Sequence, residues 1–433
     1  MKKLFLIPLC ILLLCGCMQT GGPIPEVTTE ATQPLTQPVT AEQITEAPET
    51  VPPDTSEAVT NAPETFPPDT TEAVTDAPAI PEEHNYFLGK CTKCGTNEID
   101  YTDIRLYASG LGYAFFETHE HGEGMRKLYD EMLKRLSEFH SSEQENAEFY
   151  QQNSDLGDLY LIGAFSYSNH GLTLEEAQTV YAVLRMDQPV FYWLSYWLYM
   201  SDSHIFLTTT KDYANGTDRA KCNSLLYAGL REYAEAAAGE TTAYETALTY
   251  YEEIAKRSEY AYTADGDVEN ALWAHTVIGT FTHGRFVCEG YGKLFQMLLN
   301  LSGIENVYVS GEANGSHFWN AAKMDDGKWY WFDVTWGDGG DIISYAYFCA
   351  INGTMSDHAP TAPNTLGLYF NGTLPDCSDA PFASDGIFEI GEYAMIDGRE
   401  YVRNGKSTVR GTFSATPFPP AIEYMGKTYT VTE

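Results

Sequence analysis

The chain has 433 residues, 25 Lys and Arg against 61 Asp and Glu, and a formal net charge of −36. So large an acidic excess argues against nucleic-acid binding, which needs a basic face for phosphate contacts. It has nine cysteines, too few for a scaffold built from disulfides.

The first residues, "MKKLFLIPLCILLLCGCMQT", place two lysines before an apolar run from Leu4 to Leu14. This is signal-peptide architecture, and the run is shorter than the roughly 20 residues a membrane span requires. The run closes on Leu14-Cys15-Gly16-Cys17, which resembles a bacterial lipobox. That resemblance implies cleavage before Cys17 and lipidation of Cys17, so residues 1–17 are expected to be a lipoprotein signal. Residues 18–83 are rich in Pro, Thr, Glu and Ala, and "TEAPETVPPDTSEAV" recurs as "TNAPETFPPDTTEAV". There are 13 acids and no bases between Glu26 and Glu83. With so few large apolar residues the segment cannot bury a core, and its prolines and like charges make it extended. It is expected to be a stalk, holding the folded part of the chain off the membrane and in reach of the cell wall, on the extracellular face of a lipid-anchored protein.

Residues 84–186 are expected to form a mainly helical region carrying a C-x-x-C knuckle, with helices continuing to about residue 270. In "KCTKCGTN", Cys91 and Cys94 resemble half a zinc site, which would need two further ligands. His84 and Cys377 are the candidates to complete it, and a tight local disulfide is the competing reading. "GMRKLYDEMLKRLSEFH" has apolar residues near a 3.6 period. Thr173 with Glu176, and Thr242 with Glu245, are capping boxes that start further helices. "PVFYWLSYWLYM" (189–200) is dense in aromatics and reads as core, with a substrate groove as the alternative.

"GRFVCEGYGKLFQMLLNLSGI" then puts Cys288 where an apolar helix begins, a position that favours a reactive thiolate. From Ile304 onward, "NVYVSGEA", "SHFWNAAKM" and "KWYWFDVTW" read as strands, with a hairpin turn at "MDDGK" (324–328). A loop of odd length there sets His317 opposite Thr335. His317 and Asp333 then become diagonal neighbours on one face, within reach of each other. Cys288, His317 and Asp333 are thus candidate nucleophile, general base and orienting acid. His275, His283 and His358 are read as surface or structural residues, and Gly290 and Gly292 as close-packing positions. Residues 384–433 read as a small β-rich module.

The order "VCEGYGKLFQMLLNLSGIENVYVSG", "HFWNAAKMDDGKWYWFDVTW" and "YFC" resembles the core of the transglutaminase-like superfamily of papain-like cysteine enzymes, in particular its secreted bacterial members. The resemblance covers roughly Asp187 to Pro360. It implies an α+β fold, with a Cys-bearing helix packed on an antiparallel sheet, over a catalytic core at 187–375. It also implies thioester chemistry on peptide or protein amides at Cys288, His317 and Asp333, as a peptidase or acyltransferase. No cofactor and no catalytic metal are expected. The alternative is a surface binding or cell-wall interaction module that keeps the fold without turnover.

Overall fold

The computed structural model describes residues 84–154, 156–340, 343–361 and 374–382, together with short strands between 393 and 430. The expected signal peptide, Cys17 and the stalk lie outside the described residues.

The described chain begins with a small hairpin, β1 (Tyr86–Phe87) and β2 (Lys90–Cys91). Its turn places Leu88 at φ 47° and Gly89 at φ 74°, the left-handed pair that tight hairpins use. Helix α1 (Leu111–Phe115) has its first amides, those of Gly112 and Tyr113, bound by the buried Asp187 carboxylate at 3.2 and 2.9 Å. Helix α2 (Gly122–Ser141) buries Met125, Leu128, Met132 and Leu136 on the face its periodicity predicts.

The region is less helical than expected. Strands β3 (Glu148–Asn153) and β4 (Gly157–Ser166) follow α2, ahead of helix α3 (Leu174–Asp187). Strands β5 (Tyr199–Met200) and β6 (His204–Thr210) complete an antiparallel sheet in the order β3-β4-β6-β5. The register shifts between Phe149 and Gln151 and between Leu161 and Gly163. Such bulges break the two-residue alternation by which a strand is read in sequence. Thr173 and Glu176 form the full capping box at the start of α3. The aromatic stretch is core in its first half, where Val190 to Leu194 are all buried, while Tyr196 to Met200 are half-buried.

Helices α4 (Lys211–Ala214), α5 (Gly216–Ala236) and α6 (Ala243–Arg257) lead to β7 (Glu259–Tyr260) and α7 (Ile278–His283). Strand β8 (Arg285–Phe286) pairs in parallel with β7 and delivers the chain into helix α8 (Cys288–Leu301). The start of α6 differs from expectation. Thr242 accepts from the Glu245 amide, but the Glu245 carboxylate takes the amide and hydroxyl of Thr241 instead of closing the box. Asp325 in the later hairpin turn binds the amides of Ala243 and Tyr244 at 2.8 and 3.0 Å, so a remote carboxylate caps this helix.

All of α8 but Asn300 is buried. It packs on an antiparallel sheet formed by β9 (Asn306–Glu312), β10 (Ser316–Lys323), β11 (Trp329–Phe332) and, after a short helix α9 (Val334–Gly337), β12 (Ala359–Pro360), in the order β11-β10-β9-β12. Tyr308, Phe318 and Asn320 face α8, while Val309, Trp319 and Ala321 pack on Ala350, Met355 and Cys377 behind the sheet. This is the expected α+β arrangement of a Cys-bearing helix on an antiparallel sheet. Near the C-terminus, Tyr393–Ile396, Arg399–Asn404 and Thr408–Arg410 form one antiparallel sheet, and Ala421–Tyr424 pairs with Lys427–Thr430.

Candidate active site

Cys288 is the first residue of α8. Val287 precedes it in extended conformation, φ −94° and ψ 177°, and lends no side chain to cap the helix. The positive end of the helix therefore faces the thiol region without a competing side-chain oxygen from the N-cap. Cys288 is 3% exposed and packs against Met186, Tyr308 and Phe318. Two bonds fix the first turns of α8 to the sheet: Asn320 Nδ2 donates to the Gly292 carbonyl at 3.0 Å, and Tyr308 Oη donates to the Glu289 carbonyl at 3.4 Å. Gly292 allows this approach, since a Cβ there would lie 2.8 Å from the Tyr308 ring. Gly290 does the same against Phe286, where a Cβ would meet ring carbons at 2.8 and 3.0 Å.

The residue after the cysteine sits in a buried ionic cluster that sequence reading did not find. Glu289 is 1% exposed and binds Lys293 Nζ at 2.7 Å, Arg185 Nη2 at 3.1 Å and His275 Nδ1 at 3.2 Å. Burial opposes the charge on Glu289, yet Lys293, His275 and Arg185 together hold its carboxyl well below the usual range. His275 is therefore structural, as its expected class allowed. A signal was present in the sequence: Glu289 and Lys293 are an i,i+4 pair and the only two charged residues of this helix.

The hairpin between β10 and β11 pairs Lys323 with Trp329, leaving the five residues 324–328 as the connection. Asp326 accepts the Lys328 amide at 3.0 Å, and Gly327 takes φ 77° to close the turn. The odd loop produces the juxtaposition that the spacing predicts. His317 Nε2 and Asp333 Oδ2 are 2.7 Å apart, with both residues buried. Asp333 follows β11 and caps α9, its Oδ1 accepting the Trp336 amide at 3.2 Å. Its amide donates to the Tyr347 carbonyl, and its own carbonyl accepts from Tyr251 Oη at 3.1 Å. Backbone and side chain of Asp333 are thus both fixed. Burial alone would raise the Asp333 carboxyl, but the charge and hydrogen bond of His317, with those of His358, hold it well below the usual range.

His358 is a residue of this site, which the reading of it as a surface or structural histidine did not convey. Its Nε2 lies 2.9 Å from the same Asp333 Oδ2, and its Nδ1 lies 2.9 Å from Asp357 Oδ1. Its side chain is 2% exposed. Its ring centroid is 4.7 Å from Trp336, 5.1 Å from Trp319 and 5.4 Å from His317. His358 follows β11 by 26 positions with no regular hairpin between them, so no register could have placed it.

Cys91 and Cys94 are both free thiols, and His84 lies against both, whereas Cys377 bridges to Trp329 behind the sheet. The expected fourth partner Cys377 is held away by that pairing and by its packing on Trp319 and Ala350.

Residues 231–334 match the family model of the Transglutaminase-like superfamily, a span that contains Cys288, His317 and Asp333. No curated protein matches the chain. Among solved structures, the chain is similar to a TGase at 14% identity, covering 35% of this chain and 46% of that one, with a TM-score of 0.25. It is also similar to a candidate cysteine protease from Cytophaga hutchinsonii at 17% identity, covering 31% and 52%, with a TM-score of 0.21. The chain spans about half the length of the solved structures it matches.

Proposed function

We propose, for a chain whose residues 231–334 form a domain of the transglutaminase-like superfamily, that Cys288, His317 and Asp333 act together on amide bonds of peptides or proteins. The observation that carries this reading is the buried 2.7 Å bond between His317 Nε2 and Asp333 Oδ2, on the sheet that packs against the helix Cys288 begins. That bond assigns the ring proton of neutral His317 to Nε2 and makes Nδ1 the atom that exchanges a proton.

In the proposed cycle His317 Nδ1 takes the Cys288 proton, and the thiolate attacks the amide carbonyl carbon. The carbonyl electron pair moves to oxygen, and the resulting oxyanion is stabilised by amides of the α8 N-terminus. As the C–N bond breaks, His317 gives its proton to the leaving nitrogen, and a thioester remains on Cys288. Water then attacks the thioester, passing a proton to His317, and the acid leaves as the thiol is restored. A primary amine in place of water gives a new amide. The first outcome is hydrolysis and the second is acyl transfer, and the same residues serve both. Neither route needs a cofactor.

The proposed place of action is the extracellular face of a bacterial membrane, near the cell wall, a reading that rests on the signal peptide, Cys17 lipidation and stalk expected from the sequence alone. Among the described residues no helix is long and apolar enough to cross a membrane.

Incubation of the purified chain with a peptide library, with and without a primary amine, tests the function. Cleavage, deamidation or amine incorporation, each lost in Cys288→Ala, is the expected result. Peptides that bind without any mass change would instead favour a surface binding module.

A further inference from the structure

We propose that His84, Cys91 and Cys94 bind a zinc-class divalent cation that pins the N-terminal hairpin to the far end of the cysteine-bearing helix. The site is separate from the proposed catalytic residues and makes no use of amide chemistry.

The donor atoms are already gathered. His84 Nδ1 lies 3.3 Å from Cys91 Sγ and 3.4 Å from Cys94 Sγ, and all three donors lie within 4.8 Å of one another. Tetrahedral zinc, with Zn–S of about 2.3 Å and Zn–N of about 2.0–2.1 Å, sets N and S about 3.5 Å apart. The observed separations match that edge of a coordination tetrahedron. The backbone is arranged to suit a metal thiolate as well. Only Thr92 and Lys93 separate the two cysteines, so both sulfurs sit on one tight turn. Gly95 follows at φ 77°, and its amide donates to the Cys91 carbonyl at 2.9 Å. The turn is thereby closed around the sulfurs by main-chain bonds. Among the described residues no fourth acidic, His or Cys side chain joins the three donors. The cation would keep one position for a solvent oxygen.

The hairpin that carries Cys91 rests on the turn after α8: the Leu88 amide donates to the Ser302 carbonyl at 3.0 Å. A Cβ at Gly303 would come within 2.2 Å of the Tyr86 carbonyl oxygen, so the two backbones touch. β1 and β2 have two residues each and cannot hold themselves together. Three donors drawn onto one cation would close the loop from His84 to Cys94 and keep it seated on the end of α8.

The competing state is a Cys91–Cys94 disulfide, and the experiment separates the two. The full chain is purified without chelator, desalted and assayed for metal content, for free thiols under denaturing conditions, and by intact mass. It is then stripped and titrated with Co²⁺, whose thiolate charge-transfer absorption reports sulfur ligation. The expected result is about one zinc per chain, displaced by Co²⁺ with a thiolate band. Cys91→Ser and Cys94→Ser should each lose the band, and His84→Ala should weaken metal retention at least tenfold. Hydrogen exchange at Leu88 should speed up in the stripped wild-type chain, a readout that needs no variant to fold. His358→Ala should leave the band intact, because His317, Asp333 and His358 form the other cluster among the described residues able to hold an ion, and it contains no thiolate. A wild-type chain lighter by two hydrogens with Cys91 and Cys94 oxidised would overturn the proposal. So would failure to retain Co²⁺, or a thiolate band that survives Cys91→Ser. None of these outcomes bears on Cys288 chemistry.

Discussion

Asp333→Asn isolates the electrostatic part of the proposed site. The substitution keeps the shape and removes one charge. In the wild type, Asp333 Oδ2 meets Nε2 of both His317 and His358, at 2.7 and 2.9 Å, while Oδ1 accepts the Trp336 amide at 3.2 Å. An asparagine side chain cannot serve all three donors. With its oxygen toward the histidines, its NH₂ meets the Trp336 amide head-on. With its oxygen toward Trp336, its NH₂ forces His317 to accept at Nε2 and moves the ring proton to Nδ1, the wrong atom for taking a proton from sulfur. The charge matters as well. Unit charges about 4 Å apart at an effective dielectric of about 20 attract by about 4 kcal/mol, or close to three powers of ten. Relaxation around the substituted amide recovers part of this. Alkylation of Cys288 by iodoacetamide at neutral pH should therefore slow by between about tenfold and a thousandfold. The assay follows the Cys288 peptide by mass spectrometry, with Cys222 as the internal reference. Alkylation at the wild-type rate in a folded Asp333→Asn chain would refute the reasoning, because the thiol would then owe nothing to the pair.

Other expectations rest on the same geometry. His317→Ala should lower turnover of any identified substrate by about 10²–10⁴, whereas His358→Ala, which removes a second donor from Asp333 but no proton carrier, should cost markedly less. Gly292→Ala puts a Cβ 2.8 Å from the Tyr308 ring and should destabilise the chain by about 1–3 kcal/mol in denaturant titration. Thr173→Ala removes one side of a complete capping box and should cost about 1 kcal/mol in the same measurement. Asp333 and Glu289 are both held below their unfolded values. The unfolded chain thus binds protons in acid that the folded chain does not, so their stabilisation is present above about pH 4 and is lost as pH falls below it. Melting temperature should drop through that window, and Glu289→Gln should flatten the drop while lowering stability at neutral pH.

The parts legible in the sequence were those set by local periodicity and by register. Helices α2 and α3 carry their buried faces at regular spacing. The hairpin from Ser316 to Phe332 could be drawn from two alternating runs and one turn, which is why the meeting of His317 with Asp333 was foreseeable. Strands β3 and β4 were missed because bulges interrupt their alternation. The rest depends on contacts between residues far apart in sequence. Asp325 caps a helix 82 positions earlier, and Arg185 reaches Glu289 across 104. His358 joins Asp333 from a loop without repeating pattern. No local rule contains those pairings; each arises because a buried charge or a helix end must find its partner on a segment that only the fold brings near.

The proposed chemistry requires Cys288 to carry an acyl group during the reaction. This is tested most directly by acid-quenching the chain during turnover of a peptide it cleaves or modifies, then measuring intact mass and mapping the adduct. A thioester on Cys288, sensitive to hydroxylamine and absent in Cys288→Ala, is the predicted result. Product formation that persists in Cys288→Ala, with no adduct on the wild-type thiol at any quench time, would contradict it.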